Sequence, residues 1–206
     1  SCTLKAKAFR SDSQPSIATS SQFTIYGALP SGYAAIDIGN PSIAGLSGFN
    51  DGKFTSEASG WDITSTSDQF RFIYTDTYGD CEIKARVLSV ENTSSWAKSG
   101  VMLRESTSAN SKYAFMLISA AAGDAFQYRQ TTGGNTITTS AGGASSPYWV
   151  KIVRSGNTFT GYKSSDGTTW EQRSSGTFSM SPLAVIGFAL TGHNNTTLCT
   201  SEVDNL

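Results

Sequence analysis

The chain has 206 residues, of which 15% are charged, 38% hydrophobic and 11% aromatic, and its 15 Lys and Arg nearly balance 16 Asp and Glu. That length can bury a substantial core, but the surface is far less ionic than the roughly 25% of charged residues usual in soluble domains, and it lacks the basic excess that nucleic-acid binding requires. No apolar run approaches the roughly 18 residues needed to span a bilayer, and no basic stretch leads into an apolar one at the start, so neither nucleic acid nor membrane is an expected partner.

Apolar residues recur with period two, and clusters of Gly, Asn, Asp, Ser and Thr interrupt them about every ten residues, the pattern of an all-β chain. The first expected strands are Leu4 to Phe9 and Gln22 to Tyr26, separated by a polar Ser, Gln and Pro loop. Leu29-Pro30-Ser31-Gly32 then reads as a short linker. It divides residues 1–32, the end of a preceding β module, from a main domain over 33–206. A lone hairpin is marginally stable in water, so the leading pair either packs on the main domain or belongs to an upstream sheet. The main domain places strands at Ala34 to Ile38, Lys53 to Ser59, Gln69 to Thr75, Cys81 to Val90, Ala97 to Glu105, Lys112 to Ser119 and Ala125 to Thr131. They continue at Tyr148 to Arg154, Thr158 to Ser164, Thr169 to Gln172, Leu183 to Thr191 and Thr197 to Asp204. Ser155-Gly156-Asn157 and Ser165-Asp166-Gly167 join successive strands with residues that tolerate positive φ, so both read as tight hairpins of one meander.

Three cysteines, Cys2, Cys81 and Cys199, show no C-x-x-C spacing, and zinc is not expected. Cys81 and Cys199 both fall in strands, where a bridge between them and two free buried thiols fit equally well. Cys2 reads as a residue whose partner lies outside this stretch.

Several segments carry a resemblance: YAAIDIGNPSIAGLSG, WDITSTSDQFRFIY, GDCEIKARVLSVENTSSWAKSGVMLRES, PYWVKIVRSGNTFTGYKSSDGTTWEQ and IGFALTGHNNTTLCTSEVDNL. The most specific are WAKSGVMLRES, the run R-x-G-N-x-F-x-x-Y-x-S-x-DG-x-x-W, and GHNN. From about Tyr33 to Leu206 the chain resembles laminin-G or concanavalin-A-like bacterial sandwich domains of the regulation-of-enolase-like type, which are appended to secreted polysaccharide-degrading enzymes. The leading TLKAKAFRSDSQPSIATSSQFTI is similar to the end of a fibronectin-type or chitobiase-C-terminal-type module. The resemblance implies a two-sheet antiparallel jelly-roll β-sandwich, an extracellular location, a tether to a catalytic domain and a glycan-binding role. Because this scaffold hosts lectins, hydrolases and lyases alike, function has to be argued from the site.

Hydrolysis needs paired carboxyls, roughly 5 to 5.5 Å apart for retention and roughly 6.5 to 9.5 Å for inversion. Asp80 with Glu82, and Glu202 with Asp204, sit two apart on strands and so share a face. Neither pair extends to a third acid, since Lys84 and Leu206 take the next positions, so they read as solvated strand ends or a metal shell rather than catalytic groups. Elimination would call on His193, the only histidine, with Arg104, Arg129, Gln127 and Tyr113, but no lyase strand motif frames them. A nucleophilic serine would need an elbow such as G-x-S-x-G, which is absent. The glycine-rich GNPSIAGLSGFNDG has no strand-to-helix context and reads as a surface loop.

Binding fits better. In WAKSGVMLRES the alternation of side chains sends Val101 and Leu103 one way and Met102 and Arg104 the other, and in DAFQYRQ it opposes Phe126 and Tyr128 to Gln127 and Arg129. Two strands therefore offer an apolar inner face and an Arg-bearing outer face. In a jelly roll that outer, concave side is a natural groove in which aromatic faces and Arg, Gln or Asn forks can hold glycan hydroxyls or carboxylates. The expected carbohydrate-binding set is Trp96, Met102, Arg104, Tyr113, Gln127, Arg129, His193 and Asn194, with Trp96 the exposed aromatic. Trp149, Phe70, Phe72 and Phe159 read as core, and Trp170 as packing over its own hairpin. The two arginines tilt the expected ligand toward an acidic or branched polysaccharide. The chain reads as a monomer that needs no cofactor, and Asp37, Asp51 and Asp204 are the candidate ligands of a structural calcium.

Overall fold

Period-two alternation becomes strands almost throughout. The computed structural model describes residues 2–8, 11–12, 16–23, 25–139 and 142–206, and within them it contains sixteen strands and no helix. Phe9, Thr24 and residues 13–15, which the sequence places in the leading strands and their loop, lie outside the described residues, as does the side chain of Cys2.

Strands β1 (Cys2–Ala6) and β2 (Thr19–Phe23) pair with each other in a sheet of their own. The segment after them is docked rather than a free linker. Phe49 N donates to Gly27 O at 3.1 Å, the Tyr26 hydroxyl donates to Glu57, and Leu29 and Tyr33 pack against the core.

The remaining fourteen strands make two antiparallel sheets of seven, a jelly-roll β-sandwich. The front sheet runs β11 (Ile137–Thr138), β10 (Asp124–Arg129), β9 (Tyr113–Ser119), β8 (Lys98–Arg104), β15 (Leu183–Thr191), β6 (Phe70–Tyr78), β3 (Ala34–Ile38). The back sheet runs β14 (Glu171–Thr177), β13 (Thr158–Ser164), β12 (Tyr148–Ser155), β7 (Cys81–Val90), β16 (Asn194–Asp204), β5 (Lys53–Gly60), β4 (Leu46–Asn50). Strands β4 and β11 were not expected from the sequence. Leu46–Asn50 lies in a glycine-rich stretch, and Ile137–Thr138 is a two-residue edge that carries no readable period.

The first expected tight hairpin forms, while the second is a longer connection, 165–170, because β14 begins only at Glu171. Gly156, at φ +56°, and Asn157 turn β12 into β13. After β13, Asp166 Oδ1 accepts from Thr168 N at 2.8 Å and Thr169 N at 2.7 Å, bonds that hold its carboxyl well below the usual carboxylate range. Trp149 is half-buried, with a ring close enough to Gly167 that a Cβ there would stand 2.6 Å away, while Trp170 lies under the Lys151 ammonium at 4.5 Å. The hairpin is thus covered by Trp149 from the neighbouring strand, and Trp170 is taken up by Lys151.

Alternation decides the two faces of the front sheet. Val101, Leu103, Met116, Phe126 and Phe188 point inward and meet Val87, Val150, Ile152, Phe159 and Val203 of the back sheet. Met102, Tyr113, Phe115, Leu117, Phe70 and Phe72 point outward, yet they too are buried, in a second apolar cluster. Loops seal it. Ile63 from the 61–69 loop is 0% exposed, worth about 2 kcal/mol of transfer, and Ala109 packs beside it from the β8–β9 connection. Asp68 N donates to Ala109 O at 2.9 Å, Gly133 N to Asn110 O at 2.8 Å and Thr136 N to Ser65 O at 2.9 Å, so three connections form one layer over the sheet. Gly39 and Gly60, at φ +76° and +122°, admit that layer: a Cβ on either would stand 1.9 Å from Asp68 O or 2.3 Å from Gln69 O.

Candidate functional site

The two arginines do share a face and lie together, as the alternation requires, but they face protein rather than solvent. Arg104 and Arg129 are 0% exposed and both close on Asp68, itself 0% exposed. Arg104 Nη1 donates to Asp68 Oδ2 at 2.7 Å, and Arg129 donates to the same carboxylate through Nη1 at 2.8 Å and Nη2 at 2.6 Å. The remaining donors go to loop carbonyls: Arg104 Nη2 to Ser108 O at 2.6 Å, and Arg129 Nε to Gly134 O at 2.9 Å and Nη1 to Ser111 O at 3.0 Å. Arg104 lies 5.2 Å from the Phe70 ring and Arg129 4.9 Å from that of Tyr113. This is a clamp that fastens the covering loops, and it corrects the expected open trough. Burial pulls the Arg104 guanidinium below its ordinary value, with Asp68 opposing. Tyr113 and Met102 are also 0% exposed, and the Tyr113 hydroxyl is spent on Thr136 Oγ1 at 2.9 Å. None of these four side chains is available to a ligand, because the 61–69 and 105–112 connections lie over them.

The other predicted residues fare differently. At the opposite end of β8, Trp96, Gln127 and His193 converge on a cleft of about 210 Å³, which Asp62, Thr64, Lys98 and Thr138 complete. Trp96 comes from the β7–β8 loop, where Ala97 N donates to Ser94 O at 2.9 Å, and Ser95 O accepts from Ala121 N and Ala122 N at 3.1 Å each. His193 sits in the turn between β15 and β16 at φ +48°. Thr93 Oγ1 donates to Gly192 O at 2.7 Å and ties the two loops together. The imidazole is oriented from both sides, by Ser94 Oγ 3.2 Å from Nδ1 and Asp62 Oδ2 3.3 Å from Nε2.

Lys98 donates to Asp62 Oδ1, which also accepts from Ile63 N at 2.7 Å, and its ammonium stands 5.7 Å from the Trp96 ring. Burial pulls this ammonium below its ordinary value while Asp62 works against the shift. Gln127 is 3% exposed; its Nε2 donates to Thr138 Oγ1 at 2.9 Å, whereas its Oε1 has no hydrogen-bond partner. A buried amide oxygen left open costs about 1–3 kcal/mol, and this one is closed off from solvent beneath the wall, as the clamp arginines are. The cleft thus offers an aromatic face, a partly exposed imidazole and a partly exposed carboxylate whose counter-ion is the buried Lys98 ammonium.

The fold is that of a lectin-like jelly roll. No family model matches the sequence, and no curated protein matches it either. Among solved structures, the chain is similar to a functionally unknown protein from Saccharomyces cerevisiae, at a TM-score of 0.66 and 15% identity, over 86% of this chain and 96% of that one. It is similar to carbohydrate binding module CBM66 from Bacillus subtilis at a TM-score of 0.56 and 11% identity, over 88% and 97%. A lectin from Bauhinia forficata in complex with GalNAc matches at 0.52 and 6% identity, over 98% and 96%. Identities this low speak for the architecture alone.

Asn194 stays out of the cleft, because its Oδ1 accepts from Thr196 N at 2.9 Å within its own turn, and Asn195 braces Ser42 N at 2.7 Å. The calcium set is not assembled. Asp37 Oδ2 accepts from Gly45 N at 2.9 Å and its Oδ1 lies 3.3 Å from Arg71, Asp204 is paired with Arg86, and Asp51 occupies the β4–β5 turn at φ +51°. Among the described residues, no three His, Cys, Asp or Glu side chains converge as a metal site would require. The carboxylate pairs are taken as well: Asp80 accepts from Gly156 N at 2.6 Å, Glu82 lies 3.6 Å from Lys151, and Glu202 3.1 Å from Lys53. Cys81 and Cys199 are free thiols. Cys81 pairs across the ladder with Arg154, whereas Cys199 lies opposite Ala58.

Sequence reasoning missed Asp62, Thr64, Lys98 and Thr138. Lys98 was within reach, since it shares the face of Met102 and Arg104 in the same alternating run. Asp62 and Thr64 belong to a connection whose approach to β8 no local pattern encodes, and Thr138 to the two-residue edge strand β11.

Proposed function

We propose that this chain is a noncatalytic carbohydrate-binding module, exported and tethered to a polysaccharide-degrading enzyme, and that it holds glycan in the Trp96 cleft as a monomer. The observation that carries the reading is a half-buried Trp96 in one cleft with the partly exposed Asp62 carboxylate and His193 imidazole. A sugar offers a C–H face for the indole, at about 25 cal/mol per Å² buried, and hydroxyl donors for the carboxylate. The low-charge composition and the architecture, met also in a carbohydrate binding module and a sugar-bound lectin, support it.

Calorimetry or affinity electrophoresis against a panel of polysaccharides tests it. Binding is expected to weaken at least about tenfold, about 1.4 kcal/mol, in Trp96→Ala and in His193→Ala. It should be unchanged in Trp61→Ala, an indole 62% exposed outside the cleft. A panel with no binder, or a binder indifferent to both cleft substitutions, overturns the reading.

A further inference from the structure

The hydrogen-bond inventory of the cleft narrows the class of glycan, on the assumption that the glycan reading above holds. The groups that could fork a carboxylate, Arg104 and Arg129, are 0% exposed and already committed to Asp68. Lys98, the remaining cation of the wall, has a side chain only 3% exposed and is neutralised by Asp62. What the wall leaves free is acceptor capacity: Asp62 Oδ2, on a side chain 17% exposed, faces only the imidazole edge at 3.3 Å. A uronate entering here would bring a second carboxylate against this oxygen and lose its hydration without a matching fork, whereas a hydroxyl would supply the missing donor. Size adds a second limit. About 210 Å³ is roughly seven water volumes of about 30 Å³ each, so the cleft itself holds one sugar ring, and further units of a chain would rest outside it.

We infer that the cleft selects a single uncharged sugar unit, with its C–H face on Trp96 and a hydroxyl donating to Asp62. The arginine-based expectation of an acidic polysaccharide is thereby reversed.

Competition calorimetry with the intact chain reads this out. The probes are neutral monosaccharides, namely glucose, galactose, mannose, xylose, arabinose and fructose, with glucuronic and galacturonic acids as the charged counterparts of the first two, and neutral oligomers of one to four units. At least one neutral monosaccharide should displace the bound polymer. Both uronates should bind at least tenfold more weakly than the best neutral sugar, and affinity should rise less than about threefold from one unit to four. A uronate that binds as well as the neutral sugars overturns the charge selection, and affinity that climbs steadily with length overturns the single-unit site. Asp62→Asn keeps an acceptor for Ile63 N but strips Lys98 of its counter-charge. The affinity ratio of uronate to neutral sugar should then rise at least tenfold, and a ratio that does not move also counts against the inference. Absence of binding to every polymer would remove the glycan reading itself, a result distinct from polymer binding with the wrong charge or length preference.

Discussion

Two polar clusters stand on the same outward face of the front sheet and behave in opposite ways. Strand β8 contributes Lys98 to one and Arg104 to the other, about 20 Å apart along the strand, while β10 contributes Gln127 and Arg129, about 7 Å apart. In the Asp68 clamp both carboxylate oxygens are taken by guanidinium donors, and all three side chains are 0% exposed. In the Trp96 cleft the carboxylate side chain is 17% exposed, the imidazole 36%, and one buried oxygen is unmatched. A completed network contributes its interaction energy to holding loops on the sheet. An incomplete one keeps part of that energy for whatever enters.

The clamp breaks the comparison most forcefully. Asp68→Ala leaves two guanidinium groups buried without a carboxylate, and is expected to cost about 3–5 kcal/mol in chemical denaturation. It should abolish glycan binding as well, because Thr64 of the cleft lies on the 61–69 loop that Asp68 fastens. A loss below about 1 kcal/mol would mean that the loops stay down without the clamp. Ile63→Ala tests the apolar half of the same seal. Truncating a side chain that is 0% exposed should cost about 2–4 kcal/mol, with the arginine network left in place.

Cys199 separates burial from pairing, since its thiol is buried with no charged partner bonded to it. Its Sγ lies 3.2 Å from Glu91 O, and burial pushes the thiol up to about 11 from an ordinary value near 9. The sign follows from proton counting: between those values the unfolded chain has lost the proton that the folded chain keeps, so stability is present below pH 9 and falls as pH rises through 11. The loss should approach about 2–3 kcal/mol by the top of that range. Cys199→Ala, compared with the unsubstituted chain from pH 8 to 11, should lack that component; identical pH slopes would sink the assignment.

Much of this was legible in the alternation itself. WAKSGVMLRES sends Val101 and Leu103 into the sandwich and Met102 and Arg104 out of it, DAFQYRQ does the same for Phe126 and Gln127, and Phe70, Phe72 and Phe159 are buried as their pattern requires. What alternation cannot say is whether the outward face meets water. That depends on Asp68, which precedes Arg104 by 36 residues and Arg129 by 61, and on glycines at 39 and 60 that let the chain pass close enough to deliver it. Of the eight residues expected to hold glycan, three line the cleft, because Trp96, Gln127 and His193 stand where the 61–69 loop supplies a wall rather than a lid. The missed partner, Asp62, sits at the near end of the loop that closes the other site.

Lys98→Met carries the smallest expected effect and sharpens the contrast most. Lys98 is as deeply placed as the clamp arginines, with 3% side-chain exposure, so a simple count of buried ion pairs would assign its loss the same 3–5 kcal/mol. The cleft argues otherwise. Asp62 keeps Ile63 N and the His193 edge and stands 17% exposed at a wet opening, so its charge is not stranded when the ammonium goes. Removing Lys98 also relieves the desolvation that pulls its own ionisation down, and Met fills the space of the aliphatic stem. The net change should stay below about 1 kcal/mol in denaturant titration. A cost near that of Asp68→Ala would make the cleft a second clamp, with its polar groups committed to the fold rather than to a ligand.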